Sequence, residues 1–366
     1  MSEFKTILEP AAMRFLQPLA FPELRKCERI LNVGLFFDGT DNNHNEKPEN
    51  VRTNISRLWS AYTHNPKEGH FRHYVSGVGT PFSELKKAEA EAFGGPAGVG
   101  GEARIIYGLL QVINSVHASV NSLEPRFKEP ELAALCSSTK VPPRDPDVGN
   151  RPYRLSAEQK ILDDLGMPCG LVGAGDRSFL GIQINDERSK FFAKVRDELR
   201  RQVTARETDP KIEAVYFDVF GFSRGAAQAR VFVSWLHKYL LQGGQLFGVP
   251  SCVRMLGLFD AVASVGLTNA VGNAGHNDWA QAQDLRVHPD VTNCLHFVAL
   301  HELRTNFPVD SVAVGGSLPP NCQEHHCPGA HSDVGGGYAA GEQGKGVRLA
   351  YGDPRNVNDR YPVPDA

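Results

Sequence analysis

The chain has little to tie it together covalently. Its seven cysteines (Cys27, Cys136, Cys169, Cys252, Cys294, Cys322 and Cys327) are odd in number and scattered over 366 residues. That excludes a disulfide framework and points to folding in a reducing cytoplasm. Long hydrophobic runs are missing too. No stretch approaches the roughly eighteen consecutive apolar residues of a membrane span, so only peripheral membrane contact is expected. The opening "MSEFKTILEP" lacks a charged segment followed by an apolar one, so no signal peptide is expected. A formal net charge of −3 offers no general attraction to nucleic acid or anionic lipid, and no nucleic-acid partner is expected. Internal repeats are absent.

What remains is ordinary for a globular protein, with apolar runs throughout and enough length for one large domain or two. "RILNVGLFFDGTDNN" (Arg29 to Asn43) begins as a buried strand and breaks at Asp-Gly-Thr into turn residues. "NISRLWSAY" reads as a helix, "HYVSGVGT" as a strand, and "EARIIYGLLQVINSVHASVN" as a helix. From about Glu124 to Gly181 the pattern dissolves, and "STKVPPRDPDVGNRP" reads as an exposed, proline-rich excursion. Helix "SKFFAKVRDELRRQV", strand "KIEAVYFDVFGFS", helix "AAQARVFVSWLHKYLL" and strands "VRMLGLFDAVASVG" and "CLHFVALHE" follow. This alternation predicts an α/β fold with a mostly parallel central sheet flanked by helices. The expected organisation is an N-terminal extension over 1–28 and a main domain over 29–345. Within it, 124–181 is the excursion and a candidate lid; residues 346–366 read as a polar tail or linker.

Gly221-Phe222-Ser223-Arg224-Gly225 lies where a strand turns into a helix. Such an elbow needs small residues on both sides of a nucleophile because its backbone is crowded, and it lifts the serine oxygen above the sheet edge. A plain turn with a surface serine is the bland alternative. A serine nucleophile needs a base and a group to orient that base. Asp260 stands where "MLGLFD" runs out, placed either to cap a following helix or to orient a histidine. Of the 13 histidines, His331 lies in the late glycine-rich loop "PGAHSDVGGGY", where flexible backbone can bring imidazole over the elbow. The oxyanion hole is expected to pair the Arg224 backbone N–H with one from the Gly39–Thr40 turn. The side chain of Arg224 is expected to matter little.

Together, "GLFFDGTDNN", "VFGFSRGAAQARVF", "GLFDAVASVG" and "PGAHSDVGGGY" resemble the signature blocks of a bacterial α/β-hydrolase family, the family-one type VI secretion lipase effectors. The resemblance runs from about Arg29 to Tyr338. It implies an α/β-hydrolase fold and a Ser-Asp-His hydrolase without a cofactor, with phospholipase activity in members delivered as toxins. The nucleophile falls on Ser223, the acid on Asp260 and the base on His331. Asp310 in "FPVD" is the second choice of acid, because in this fold class the acid usually follows a later strand. Asp333 is too close to His331 for easy pairing and is read as capping the glycine loop. Members are usually longer, so the chain is expected to be a truncated or minimal version. The resemblance further implies synthesis in a Gram-negative cytoplasm, secretion into a target cell, a phospholipid substrate, an immunity partner and a secretion-apparatus carrier.

Other readings stay open. "NCQEHHCPGAHSD" gathers Cys322, His325, His326, Cys327, His331 and Asp333 within a dozen residues, as a metal-dependent hydrolase would, yet it lacks a Cys-x-x-Cys knuckle. "HELRT" lacks the second histidine of a zincin, and "GGPAGVGGEARI" lacks the Gly-Lys-Ser/Thr ending of a phosphate-binding loop. A non-catalytic hydrolase-like binding module is the last alternative.

Overall fold

A computed structural model describes residues 28–85, 100–144, 154–175, 177–179, 182–184, 186–204, 211–263, 279–304, 307–338, 347–349 and 360–362. Strand β1 (Glu28–Phe37) leads to helix α1 (Asn54–Ala61), whose N-cap Thr53 accepts from Ser56, and to β2 (His70–Val75). Helix α2 (Gly101–Val120) follows, then α3 (Glu129–Leu135), α4 (Ala157–Asp164) and α5 (Glu187–Thr204). The chain returns through β3 (Lys211–Phe222), α6 (Arg224–Trp235), β4 (Val249–Phe259), β5 (Asn293–Ala299), β6 (Cys322–Cys327) and the short α7 (His331–Gly335).

The six strands run in the order β6-β5-β4-β3-β1-β2, and every pairing along that path is parallel. Short antiparallel strands at Leu241–Gln242 and Gln245–Leu246 join the start of β4, which makes the sheet mostly parallel. Alternation along the strands divides the apolar side chains between two faces. Leu31, Val33, Leu35 and Phe37 of β1, with Val215, Phe217 and Val219 of β3, enter the large core that includes residues of α2 and α6. Phe36 and Phe222 point the other way and meet Ile55 of α1 and Tyr74 of β2. Helices therefore cover both faces, as a parallel sheet requires.

The strand order places β1 between β2 and β3, so chain connections depart in opposite directions there. In open α/β sheets ligands bind at the carboxyl ends of the strands beside such a switch point. Here those ends carry Asp38-Gly39-Thr40 after β1 and Ser223 after β3.

Two parts of the sequence behave differently from their surface pattern. The stretch from Glu124 to Gly181 holds α3, with proline in its first turn, and α4, with a Ser156–Gln159 capping box. Leu132, Leu135, Leu162 and Leu171 from it are buried in the main core. "CQEHHC" is strand β6 at the sheet edge, although its polar residues hide it from an apolar pattern. Its alternation sends neighbouring side chains to opposite faces.

Candidate active site

Ser223 sits between the last residue of β3 and the first of α6 with φ 56° and ψ −127°. A non-glycine residue held there is strained, a cost of order 1–3 kcal/mol that the surrounding structure must offset. The constraint comes from main-chain bonds. Ser223 N–H donates to Phe259 O at 2.9 Å, and Ser223 O accepts from Ala226 and Val262 at 3.0 and 3.1 Å. The flanking glycines are there for space. A Cβ on Gly225 would stand 2.3 Å from Phe37 O, and one on Gly221 would stand 2.4 Å from Gly225 O. That is the physical content of Gly-x-Ser-x-Gly in this chain.

Asp260 follows β4 with φ 40° and is buried. Its Oδ1 accepts from Ala299 N–H at 2.8 Å, and its Oδ2 lies 2.6 Å from His331 Nδ1. A carboxylate at Nδ1 draws the proton to that nitrogen, leaving Nε2 as the acceptor. The imidazole packs against Phe222 and Phe307, each ring tilted to it with centroids 4.7 Å away. Phe222 immediately precedes Ser223, so the ring is brought to the elbow by that contact. Ser223 Oγ makes no hydrogen bond among the described residues. His331 N–H donates to Glu302 Oε2 at 3.1 Å, and the paired Arg304 guanidinium holds the Glu302 carboxyl down at about 2.

Asp310 goes elsewhere. Its Oδ1 accepts from Arg230 Nη1 at 2.7 Å, and Arg230 is buried. His331 begins α7 rather than lying in an open glycine loop, and Asp333 caps that helix by accepting from Ala330 N–H at 2.6 Å.

The loop after β1 narrows the choice of oxyanion donors. Gly39 N–H is spent on Asp38 Oδ1 at 2.7 Å. Thr40 N–H makes no hydrogen bond among the described residues, and Arg224, first in α6, has no intrahelical partner for its own. Asp38 is a residue that pattern reading missed. Its Oδ2 accepts from Tyr74 and Thr53 hydroxyls at 2.6 and 2.8 Å, which anchors the loop to β2 and α1. Burial pushes its pKa up to about 6 against the pull of those donors.

A second imidazole–carboxylate pair lies beneath Asp260 and was also missed. Ala261 N–H donates to His296 Nε2 at 3.1 Å, and His296 Nδ1 donates to Glu324 Oε1 at 2.8 Å. Burial works to raise the Glu324 carboxyl, yet donors from His296, Val312 and Ser311 hold it at about 2. The pair braces the backbone just after the acid.

Cys322, His325, His326, Cys327, His331 and Asp333 do not converge as metal ligands. Among the described residues the one such group is His237, His288 and Asp290, with ligand atoms within 4.8 Å of one another. His237 follows the C-terminal end of α6, whereas Ser223 stands at its N-terminal end.

A mostly parallel sheet clothed by helices, with Ser223 on a strained strand-to-helix turn and the Asp260–His331 pair at its carboxyl edge, has the architecture of the α/β-hydrolase fold. Residues 243–352 match the family model described as T6SS, Phospholipase effector Tle1-like, catalytic domain. The resemblance to type VI secretion lipase effectors is thereby borne out, over a segment that contains Asp260 and His331 and begins after Ser223. The crystal structure of an uncharacterized protein from Pseudomonas aeruginosa is similar at 28% identity and a TM-score of 0.66. That match covers 86% of this chain and 42% of the other, so the chain spans less than half that protein's length. A structure of the Tle1 effector bound to the VgrG spike of the type VI secretion system aligns at 20% identity and a TM-score of 0.38, over 86% of this chain and 52% of that one. No curated protein matches the sequence.

Proposed function

We propose that the chain is a serine ester hydrolase of phospholipase type, the catalytic part of a type VI secretion effector. The observation that carries this reading is the 2.6 Å Asp260–His331 pair beside the strained Ser223 elbow. Ser223 attacks a carboxylic ester carbonyl while His331 Nε2 takes its proton, and Asp260 holds the imidazole in the required tautomer. The backbone N–H groups of Arg224 and Thr40 stabilise the oxyanion. The alcohol leaves with a proton from His331, and water activated by the same imidazole then releases the acyl group from the serine.

Two observations support a lipid as the ester. The family model is that of a phospholipase effector. Leu300, Leu303, Val309, Val314 and Leu318 are exposed, with Leu303 92% accessible, on the segment whose Glu302 and Phe307 touch His331. Among the described residues no helix is long and apolar enough to cross a membrane. The effector reading brings with it a secretion-apparatus carrier, an immunity protein and action inside a target cell.

A panel of long-chain phospholipids and short-chain esters, assayed with wild type and Ser223→Ala, tests the reading. Loss of all ester turnover in a folded Ser223→Ala protein is expected, with phospholipid the better wild-type substrate. Full activity in the variant would refute the mechanism, and turnover of short esters alone would refute the phospholipase assignment.

A further inference from the structure

Arg224 has a feature that acyl transfer to Ser223 does not use. Its Nε donates to Thr40 Oγ1 at 2.7 Å, which fixes the guanidinium against the loop after β1. Among the described residues nothing accepts from its two terminal amino groups. Asp41, the carboxylate whose field reaches it, is exposed and makes no ion pair with it. Loss of water around the side chain lowers its pKa to about 10.

Among the described residues the three fully buried arginines spend their forks on the protein. Arg104 donates to the carbonyls of Ser76, Gly77 and Thr80. Arg188 is held by Glu102 and Leu171 O, and Arg230 by Asp310 and Leu285 O. Arg224 is half-buried instead, and its open fork is left to solvent or to a ligand that replaces it. The fork suits two oxygens of a phosphate, which it binds in a bidentate manner. Its location narrows the ligand further. The Arg224–Thr40 bond joins the two residues whose backbone N–H groups the proposed mechanism assigns to the oxyanion. A glycerophospholipid carries its phosphate on the same glycerol as the scissile ester.

We propose that the Arg224 guanidinium, oriented by Thr40, binds the phosphate of the ester substrate and so selects phosphoglycerides over neutral glycerides. This rests on the ester-hydrolase reading above. The side chain that the sequence pattern leaves without a role becomes a specificity determinant, while the backbone of the same residue serves the oxyanion.

The test measures kcat/KM for a phosphatidylcholine and for the diacylglycerol with the same acyl chains, both in the same neutral detergent micelles. Wild type, Arg224→Gln and Arg224→Lys are compared by the phospholipid-to-diacylglycerol ratio, which cancels any loss common to both substrates. The ratio is expected to fall about ten-fold or more in Arg224→Gln, mainly through KM. Arg224→Lys keeps the charge without the fork and is expected to fall between. An unchanged ratio in both variants, with an active wild type, overturns the assignment alone and leaves the side chain as a clamp on the Thr40 loop. Wild type that hydrolyses neither lipid overturns it together with the ester-hydrolase reading. Should Arg224→Gln not fold, the ratios of Arg224→Lys and Thr40→Val decide in the same way. Glycerophosphocholine is expected to inhibit wild-type diacylglycerol turnover, and Arg224→Lys to weaken that inhibition. Inhibition by inorganic phosphate without inhibition by glycerophosphocholine assigns the fork to the free anion and overturns the substrate role.

Discussion

Asp260→Asn keeps the shape of the carboxylate but favours the wrong imidazole tautomer at His331. Ester turnover is expected to fall roughly 10³–10⁴-fold, with the thermal midpoint little changed. Asp310→Asn has a different expected outcome. It removes the charge that meets buried Arg230, so urea unfolding is expected to show a loss on the order of 2–3 kcal/mol while folded protein keeps its turnover. A large rate loss in Asp310→Asn with Asp260→Asn near normal would reverse the assignment of the acid. Sequence pattern left the two carboxylates open because the choice depends on how the loops after β4 and β5 fold back. Ser223 and His331 stand out in the sequence as candidates through their glycine flanks and chain order. Asp38 and His296 do not. The first reads as an ordinary turn residue and the second as part of an apolar strand, and their partners lie far away in sequence.

The elbow between β3 and α6 is an element whose shape depends on missing side chains. Gly225→Ala would set a Cβ 2.3 Å from Phe37 O and 2.4 Å from Asp38 O, main-chain atoms that cannot turn aside. A stability loss of about 1–3 kcal/mol in urea unfolding is expected, together with reduced turnover as β1 and α6 move apart. Wild-type stability in the Gly225→Ala variant would mean that the helix seats differently on β1. Most strands and helices were visible in sequence as apolar runs and helical spacing. Strand β6 was not, because an edge strand needs little apolar burial and Gln323, Glu324, His325 and His326 read as loop. Helix α7 is only one turn long and is built around a cap, which leaves too few residues for a periodic signal.

At the scale of the molecule, the order of the strands could not be read at all, since parallel pairing joins segments far apart in the chain. The pH response also belongs to this scale. His73 donates from Nε2 to Ser115 Oγ, whose own hydrogen goes to Gln111 O. Loss of water lowers its pKa from 6.5 to about 3. A folded value below the unfolded one means that this contribution is whole above about pH 6.5 and is lost as pH falls. The slope approaches about 1.4 kcal/mol per pH unit. Asp38 acts in the opposite sense. Burial raises its value from 3.8 to about 6, so its contribution grows as pH drops through that window. The two offset each other in wild type, and a variant separates them. His73→Gln is expected to gain on wild type in urea unfolding as pH goes from 7 to 5; a difference independent of pH would contradict the assignment.

The strand ends stand in step across the sheet. Phe37 is opposite Gly221, Phe222 opposite Phe259, and Phe259 opposite Phe297. Each of these rungs lies within a few residues of a group at the site: Thr40, Ser223, Asp260 and the Ala299 amide that holds Asp260. The spacing between those groups is therefore counted out in whole residues along a backbone ladder. Bulges absorb an extra residue in β3 at Glu213 and in β4 at Arg254. Losing or gaining one residue in these strands without such a bulge would turn the side chains to the opposite face and shift the strand end along the ladder. Connections and chain ends are under no such rule. Length can therefore change in the connections of this fold without moving the groups at the strand ends.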